Sequence, residues 1–336
     1  MTLAKLDISG KNAQSRYYNI TLSTPEKNLY IAANKNRQVS DVKFVGLRDQ
    51  YFCAIVQPEK DYNNVAVQRE GEAATITYNI APVSIPANSQ IGHLYRIYLG
   101  PQDLKSINNV QTGFAVIINY GMFDFIAQLL LQLLAFFYGL VHNWGLAIII
   151  LSVAVYFLLY PLTLKQMRSM KEMQALQPKI EALKVLYKDN PQRLNKEIME
   201  LYRTHKVNPF GGCLPLLLQM PIFFALYQAL LRSVALKGAQ FLWIKDLSEP
   251  DRLPLFGTHV NILPLFMAIL MFAQQKISMA ATSGSSMSNE QQKMMTFIMP
   301  VMFGVIFYNM PAGLVLYWFV NSILMFIYQL KVSRAK

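Results

Sequence analysis

Residues 296–330 contain no Asp, Glu, Lys or Arg. A helix rises 1.5 Å per residue, so about 20 such residues cross a hydrocarbon core of about 30 Å. The run is too long for one crossing, and Asn309-Met310-Pro311-Ala312-Gly313 breaks it in two. Residues 145–164 and 209–231 are also uncharged, and 260–275 forms a shorter uncharged run. The chain therefore reads as a polytopic α-helical membrane protein with five spans: 145–164, 209–231, 260–279, 294–309 and 312–330. Hydrophobic residues make up 53% and charged residues 15%, against about 25% charged in soluble proteins. That excludes a disordered chain, a collagen and a disulfide scaffold, and argues against a soluble enzyme. The net charge of +12 would suggest nucleic acid in a soluble protein, but in a membrane protein it is ordinary loop charge. No DNA partner is expected.

Residues 1–120 are of a different kind, with 12 Lys/Arg and 9 Asp/Glu. Short alternating runs occur at Asp41-Val42-Lys43-Phe44-Val45, at 51–56, at 74–80 and at 93–99, the last ending on Gly100-Pro101. Period-two alternation punctuated by Gly, Pro and Asn predicts antiparallel strands. The expected organisation is a β-sandwich-like domain over 1–118, an amphipathic helix over 119–138 and a membrane domain over 139–336. Residues 123–137 set Asp124, Gln128 and Gln132 among apolar and aromatic neighbours. This fits a helix lying on the membrane surface better than a sixth span; a buried soluble helix is the alternative.

Lys and Arg in the short loops set orientation. Segments 165–206, 276–293 and 331–336 hold fifteen, against four in 232–260. The tail and the 165–206 loop are thus expected in the cytoplasm, and five spans put the β domain on the other side. The first ten residues are neither a signal peptide nor an anchor, so a hydrophobic segment upstream of residue 1 is expected.

Within 165–206, Met173, Leu176, Ile180, Leu183 and Tyr187 are spaced three and four apart, as are Leu194, Ile198, Leu201 and His205. These are apolar seams on two helices. Asp189-Asn190-Pro191 separates them, and Pro191 suits a first helical position. The loop is therefore an antiparallel helical hairpin, with Pro178 kinking its first helix or marking its start. Met167, Met170 and Met173 precede the hairpin at three-residue steps. Flexible thioethers suit varied apolar partners, and packing within the hairpin or bilayer is the plainer alternative.

No P-loop, GxGxxG, GxSxG, HExxH or CxxC occurs. The four histidines, His93, His142, His205 and His259, are dispersed, and Cys53 and Cys213 fall on opposite sides of the membrane and cannot pair. The spans hold no Asp or Glu of the kind a proton-coupled carrier uses, nor an inverted repeat. No enzyme activity, catalytic residue, cofactor or metal is expected.

Several motifs occur in order: Asn143-Trp144-Gly145, Tyr160-Pro161-Leu162-Thr163, Leu176-Gln177-Pro178-Lys179-Ile180, and Val207-Asn208-Pro209-Phe210-Gly211-Gly212-Cys213-Leu214-Pro215. Gln219-Met220-Pro221-Ile222-Phe223, Leu242-Trp243-Ile244-Lys245-Asp246-Leu247-Ser248 and Pro311-Ala312-Gly313-Leu314-Val315-Leu316-Tyr317-Trp318 follow. Together they resemble the bacterial YidC family of membrane protein insertases, of the Gram-negative type with a periplasmic domain. The likeness covers residues 95–330, and the β half joins it through Tyr98-Leu99-Gly100-Pro101.

The resemblance implies five spans around a hydrophilic groove, open to the cytoplasm and to lipid and closed toward the periplasm. It also implies an inner-membrane location with the C-terminus cytoplasmic, and a further span and more of the β domain ahead of residue 1. By resemblance the groove residues are Ser152, Tyr156, Gln219, Tyr317, Trp318 and Asn321. For Gln219 and Asn321, interhelical hydrogen bonding is the alternative. Tyr156 stands five residues before Pro161, where the family places a groove Arg, and is uncharged near neutral pH. Arg232 is read as snorkelling at the outer interface. The partners implied are nascent membrane proteins, the lipid bilayer, the Sec translocon and, because the chain ends at Lys336 without a long basic tail, only weakly the ribosome. A Sec-dependent folding accessory and a small-solute channel or carrier are the competing readings.

Overall fold

The computed structural model describes residues 2–7, 18–32, 35–59, 64–79, 84–188, 190–205, 207, 214–255, 257–280 and 294–334. They form two compact units, Met1–Gly121 with Arg232–Val234, and Met122–Leu231 with Ala235–Lys336.

The first unit is a β-sandwich. Strands β1 (Thr2–Asp7), β4 (Arg37–Val39), β7 (Asn64–Glu70) and β8 (Ala73–Asn79) form one sheet in the order β1-β8-β7-β4. Strands β2 (Asn19–Ser23), β3 (Asn28–Ala32), β5 (Phe44–Arg48), β6 (Phe52–Pro58) and β9 (Tyr95–Pro101) form the other, in the order β3-β2-β5-β6-β9. Their pairings are antiparallel. On β8, Ala74, Ile76 and Tyr78 point inward while their neighbours do not, the strand period of two. They meet Ile20, Leu22, Ile31, Val45, Val65 and Val67 in one core drawn from both sheets. Burial alternates from Asp41 to Phe44 as expected, but the strand itself begins only at Phe44, after Asp41 turns left-handed at φ 56°, and most of its positions are buried on both faces. Cys53 is buried on β6, and burial pushes its thiol up to about 12.

Beyond β9, helix α1 (Leu104–Val110) is capped by Asp103, which accepts from the Ser106 N–H at 2.9 Å. A 3-10 turn, Thr112–Ile117, follows. Arg48, only 5% exposed, reaches this segment and donates through Nη1 to the carbonyls of Ile117 and Asn119, both at 3.0 Å. Burial holds its guanidinium down to about 10.

The second unit is helical. Helix α2 (Asp124–Val141) buries Ala127, Leu130 and Leu134 along one stripe and leaves Phe125, Leu129, Phe136 and Leu140 exposed. It packs on α3 (Trp144–Ala175) and α6 (Leu214–Leu231). Only His142 and Asn143 separate α2 from α3. His142 is left-handed at φ 50° and donates its N–H to Tyr138 O at 2.7 Å. The Asn143 side chain caps α3 through the Leu146 N–H at 3.0 Å, and Tyr138 stacks on Trp144 with centroids 4.0 Å apart.

Helices α4 (Gln177–Leu186) and α5 (Pro191–Thr204) form the hairpin. Pro178 lies in the first turn of α4 and marks a start, not a kink. Asn190 accepts from the Arg193 N–H at 3.0 Å and caps α5, with Pro191 opening the helix as expected. Leu176, Ile180, Ile198 and Val207 make the hairpin core, with Met173, Leu183, Leu194 and Leu201 around it. The outermost seam positions are polar instead. Arg193 lies over the Tyr187 ring at 5.2 Å, and His205 Nε2 is 2.9 Å from Lys179 Nζ. An ammonium can only donate, so Nε2 accepts and the ring donates through Nδ1 to Leu201 O, 2.9 Å away.

Outside the hairpin come β10 (Leu253–Leu255), β11 (Thr258–Val260), α7 (Ile262–Ala280), α8 (Met299–Tyr308), which follows a π turn at Met294–Ile298, and α9 (Ala312–Arg334). Gly121–Val141, Trp144–Leu164 and Ala312–Lys331 are long and apolar enough to cross a membrane, and Gln219–Leu231, Ile262–Ile277 and Thr296–Tyr308 are shorter apolar helices. Thus α2, read from sequence as a surface helix, also has spanning length and composition.

Candidate functional site

Helices α3, α6 and α9 carry the six residues assigned to the groove by resemblance. Gln219, on α6, donates from Nε2 to the Tyr317 hydroxyl on α9 at 2.9 Å. Tyr317 is fully buried, and its carbonyl accepts from Asn321 Nδ2 at 2.9 Å, one turn along α9. Gln219, Tyr317 and Asn321 therefore form one connected polar group inside an apolar bundle.

Trp318 points into a different environment. Its ring centroid lies 5.2 Å from Phe223, 5.9 Å from Phe303 and 5.4 Å from Phe307. These rings join α6, α8 and α9 in an aromatic cluster, with the edge-to-face and offset geometries that aromatic quadrupoles favour.

Ser152 is buried on α3 and donates its hydroxyl to Ile148 O at 2.7 Å, within its own helix. One turn on, Tyr156 lies 6.1 Å from Phe157 and 6.2 Å from Tyr160, ring to ring. Tyr160 in turn meets Tyr328 of α9 edge-on at 5.7 Å. Tyr156 thus begins an aromatic ladder between α3 and α9. Of the three methionines, Met173 packs against the hairpin core. The side chains of Met167 and Met170 lie outside the described residues, as do residues 208–213 with Cys213.

Sequence reasoning missed three participants. Gln274 on α7 donates to Ser322 O on α9; an amide inside an otherwise uncharged run is the signal that would have found it. Tyr328 was hidden by its place in an aromatic-rich helix. Asp251 looked like solvated loop charge, but it is 4% exposed and accepts from the first turn of α7.

Charge is sparse throughout. In 145–164, 214–231, 262–275 and 299–330 there is no Asp, Glu, Lys or Arg, so what these helices offer a guest is hydroxyl, amide and aromatic surface. Among the described residues, no group of three or more His, Cys, Asp or Glu is placed to hold a metal ion.

The family model described as 60Kd inner membrane protein matches residues 136–336, and that described as YidC periplasmic domain matches residues 7–133. The membrane protein insertase YidC of Syntrophobacter fumaroxidans is 38% identical to this chain over 98% of it and 62% of the relative's length. The protein of the same name from Geobacter metallireducens is 41% identical over 86% of this chain and 52% of its own length. The chain thus spans somewhat more than half the length of these relatives. The crystal structure of an active YidC insertase with its first transmembrane domain resolved is 21% identical, with a TM-score of 0.51, covering 92% of this chain and 82% of that one. It shares the fold, a β-rich domain followed by a bundle of apolar helices. With both models matched in chain order, the first ending as the second begins, this chain belongs to the YidC family of 60Kd inner membrane proteins.

Proposed function

We propose that this protein is a membrane protein insertase and chaperone that works without nucleotide hydrolysis. The observation that carries this reading is the connected group Gln219–Tyr317–Asn321, polar but uncharged, inside a bundle of predominantly apolar helices. Carrying a charged residue to the centre of a membrane costs roughly 2.5–3.5 kcal/mol on insertion scales. The partly exposed amides of Gln219 and Asn321 offer a client's polar tail substitute partners along part of that path. Its apolar segment then leaves sideways into lipid, and that partition drives the cycle.

The geometry of α8 supports the same reading. Thr296–Tyr308 is a short apolar helix, and a span shorter than the hydrocarbon thickness is accommodated by local thinning. The hairpin α4–α5, with Met173 at its base, is the cytoplasmic reception surface, and α6, α8 and α9 form the exit path. The β-sandwich lies in the periplasm and the C-terminus in the cytoplasm, an arrangement that needs α2 on the membrane surface and not across it. Clients are nascent membrane proteins and the surroundings are the inner-membrane bilayer. The Sec translocon and the ribosome are working partners.

The test is protease protection of a small single-span client added to liposomes holding the purified protein. Protection of the client's outer tail above that in empty liposomes is the expected result; none with any small single- or double-span client sinks the proposal. A second reading, a folding accessory that depends on the Sec translocon, is favoured by one observation: Tyr156 sits in an aromatic ladder and brings no charge.

A further inference from the structure

Helix α4 has two apolar faces, and the hairpin uses only one. Ile180 and Leu183 lie on the first and pack into the hairpin core with α5. Pro178, Ala182, Val185 and Leu186 lie on the second, and all four are exposed. At 3.6 residues per turn the second face stands roughly 150° round the helix from the first. Val185 and Leu186 are 81% and 69% exposed. A lone exposed apolar side chain needs no explanation, but an aligned face ending in two bulky ones marks an interaction surface.

The charges around that face are mostly basic. Lys179, Lys184 and Lys188 lie on or just beyond α4, and Arg193 opens α5 beside them. Arg193 reaches both the Tyr187 ring at 5.2 Å and Glu197 at 4.0 Å, with 62% of its side chain still exposed. Residues 165–206 as a whole hold ten Lys/Arg against five Asp/Glu. Apolar side chains at a tip ringed by cations complement an anionic lipid surface, where the cations meet phosphates and the apolar groups enter the acyl boundary.

The stripe is also graded along its length. Pro178 and Ala182 are small and lie toward the turn at Leu176, whereas Val185 and Leu186 are at the far end of the helix. A partner helix laid along α4 would find little side chain to grip over the first two turns. A bilayer met obliquely takes up only the tip. The lengths allow that meeting. Residues 165–175 carry α3 about 16 Å past its spanning part, Trp144–Leu164, and α4 is about 15 Å long. A hairpin tilted back at the Leu176 turn therefore returns its tip to the headgroups.

We infer that the hairpin docks by its tip on the anionic face of the bilayer, with Val185 and Leu186 at the acyl boundary and Lys184, Lys188 and Arg193 on lipid phosphates. This goes beyond the reception role proposed above, because it gives the hairpin a resting place that no client supplies.

The test uses the full chain in liposomes with Cys53→Ser and Cys213→Ser, carrying an environment-sensitive dye at Leu186→Cys or, as control, at Met199→Cys, exposed on α5. The quencher is phosphatidylcholine brominated on its acyl chains, present in both leaflets, with or without phosphatidylglycerol. With phosphatidylglycerol, the dye at position 186 should be dimmed at least about twofold more than the dye at 199, as a tip buried at the acyl boundary requires. Lys188→Gln should lower the ratio of docked to free hairpin roughly fivefold, the weight of one basic residue near anionic lipid. Equal dimming at the two sites overturns the inference, as does dimming at 186 that is unchanged without phosphatidylglycerol. A single-span client bearing a quencher that dims position 186 where brominated lipid does not would make the stripe a client site, and overturns it too. The lipid readout needs no client, so its failure is told apart from a failure of insertion.

Discussion

The Arg48 guanidinium donates through one nitrogen, Nη1, to two carbonyls of the segment leaving the β-sandwich, those of Ile117 and Asn119. The side chain is buried, and even with burial holding it down to about 10 it remains charged at neutral pH. Arg48→Met removes the cation but strands both carbonyls. The expected cost is about 1–3 kcal/mol, read as a lower Cm in urea.

Gly46 faces the same segment. A Cβ there would sit 2.5 Å from Ile117 Cδ1, below any real contact. Gly46→Ala should destabilise by roughly 1–3 kcal/mol as overpacking does, although alanine normally suits a strand better than glycine. A double-mutant cycle with Ile117→Val should recover part of the loss.

Cys53 titrates in a direction that can be followed. Its ordinary value of 9.0 is raised to about 12 by burial, so the folded state holds the thiol proton more tightly than the unfolded one. The stability this contributes is complete below pH 9 and falls as pH rises toward 12. In a Cys213→Ser background, maleimide should label Cys53 only after denaturant is added.

At the Gln219–Tyr317 pair, Gln219→Leu leaves the buried Tyr317 hydroxyl without this donor. Interhelical hydrogen bonds in membranes average about 0.6 kcal/mol, so the fold should survive with a small fall in melting temperature. Client protection should drop more than stability does. Equal protection by the variant would remove this pair from the proposed path.

Tyr156→Arg places a charge in the ladder with Tyr160. If charge is what limits independent insertion, the variant should protect acidic tails that the parent leaves exposed, measured in the same liposome assay. Equal behaviour of the two proteins would discard the charge argument.

Periodic features were legible in the sequence because one face of an element repeats locally. Ala74, Ile76 and Tyr78 report their strand through burial every second residue, and Leu194, Ile198 and Leu201 report their helix through three- and four-residue steps. Pro178 was ambiguous between kink and start, since its ring forbids only the helix interior, and the turn at Leu176 resolved it as a start. Pairings were not legible. Nothing in Gln219 says that its partner lies 98 residues away, and an Asp among loop residues looks solvated until helix α7 is seen to begin against it. The groove residues came from motif likeness, and the structure distributes them over four settings: a polar pair with its helix-mate, the aromatic cluster at Trp318, the aromatic ladder at Tyr156, and a helix that keeps Ser152 to itself.

The corner at His142-Asn143 has a mechanical consequence. With two linking residues, a left-handed bend, a capped first turn and Tyr138 stacked on Trp144, α2 has no slack relative to α3. The pair behaves as a bracket: a torque applied to α2 by the surrounding bilayer is delivered to the base of α3, two turns from Ser152 and three from Tyr156.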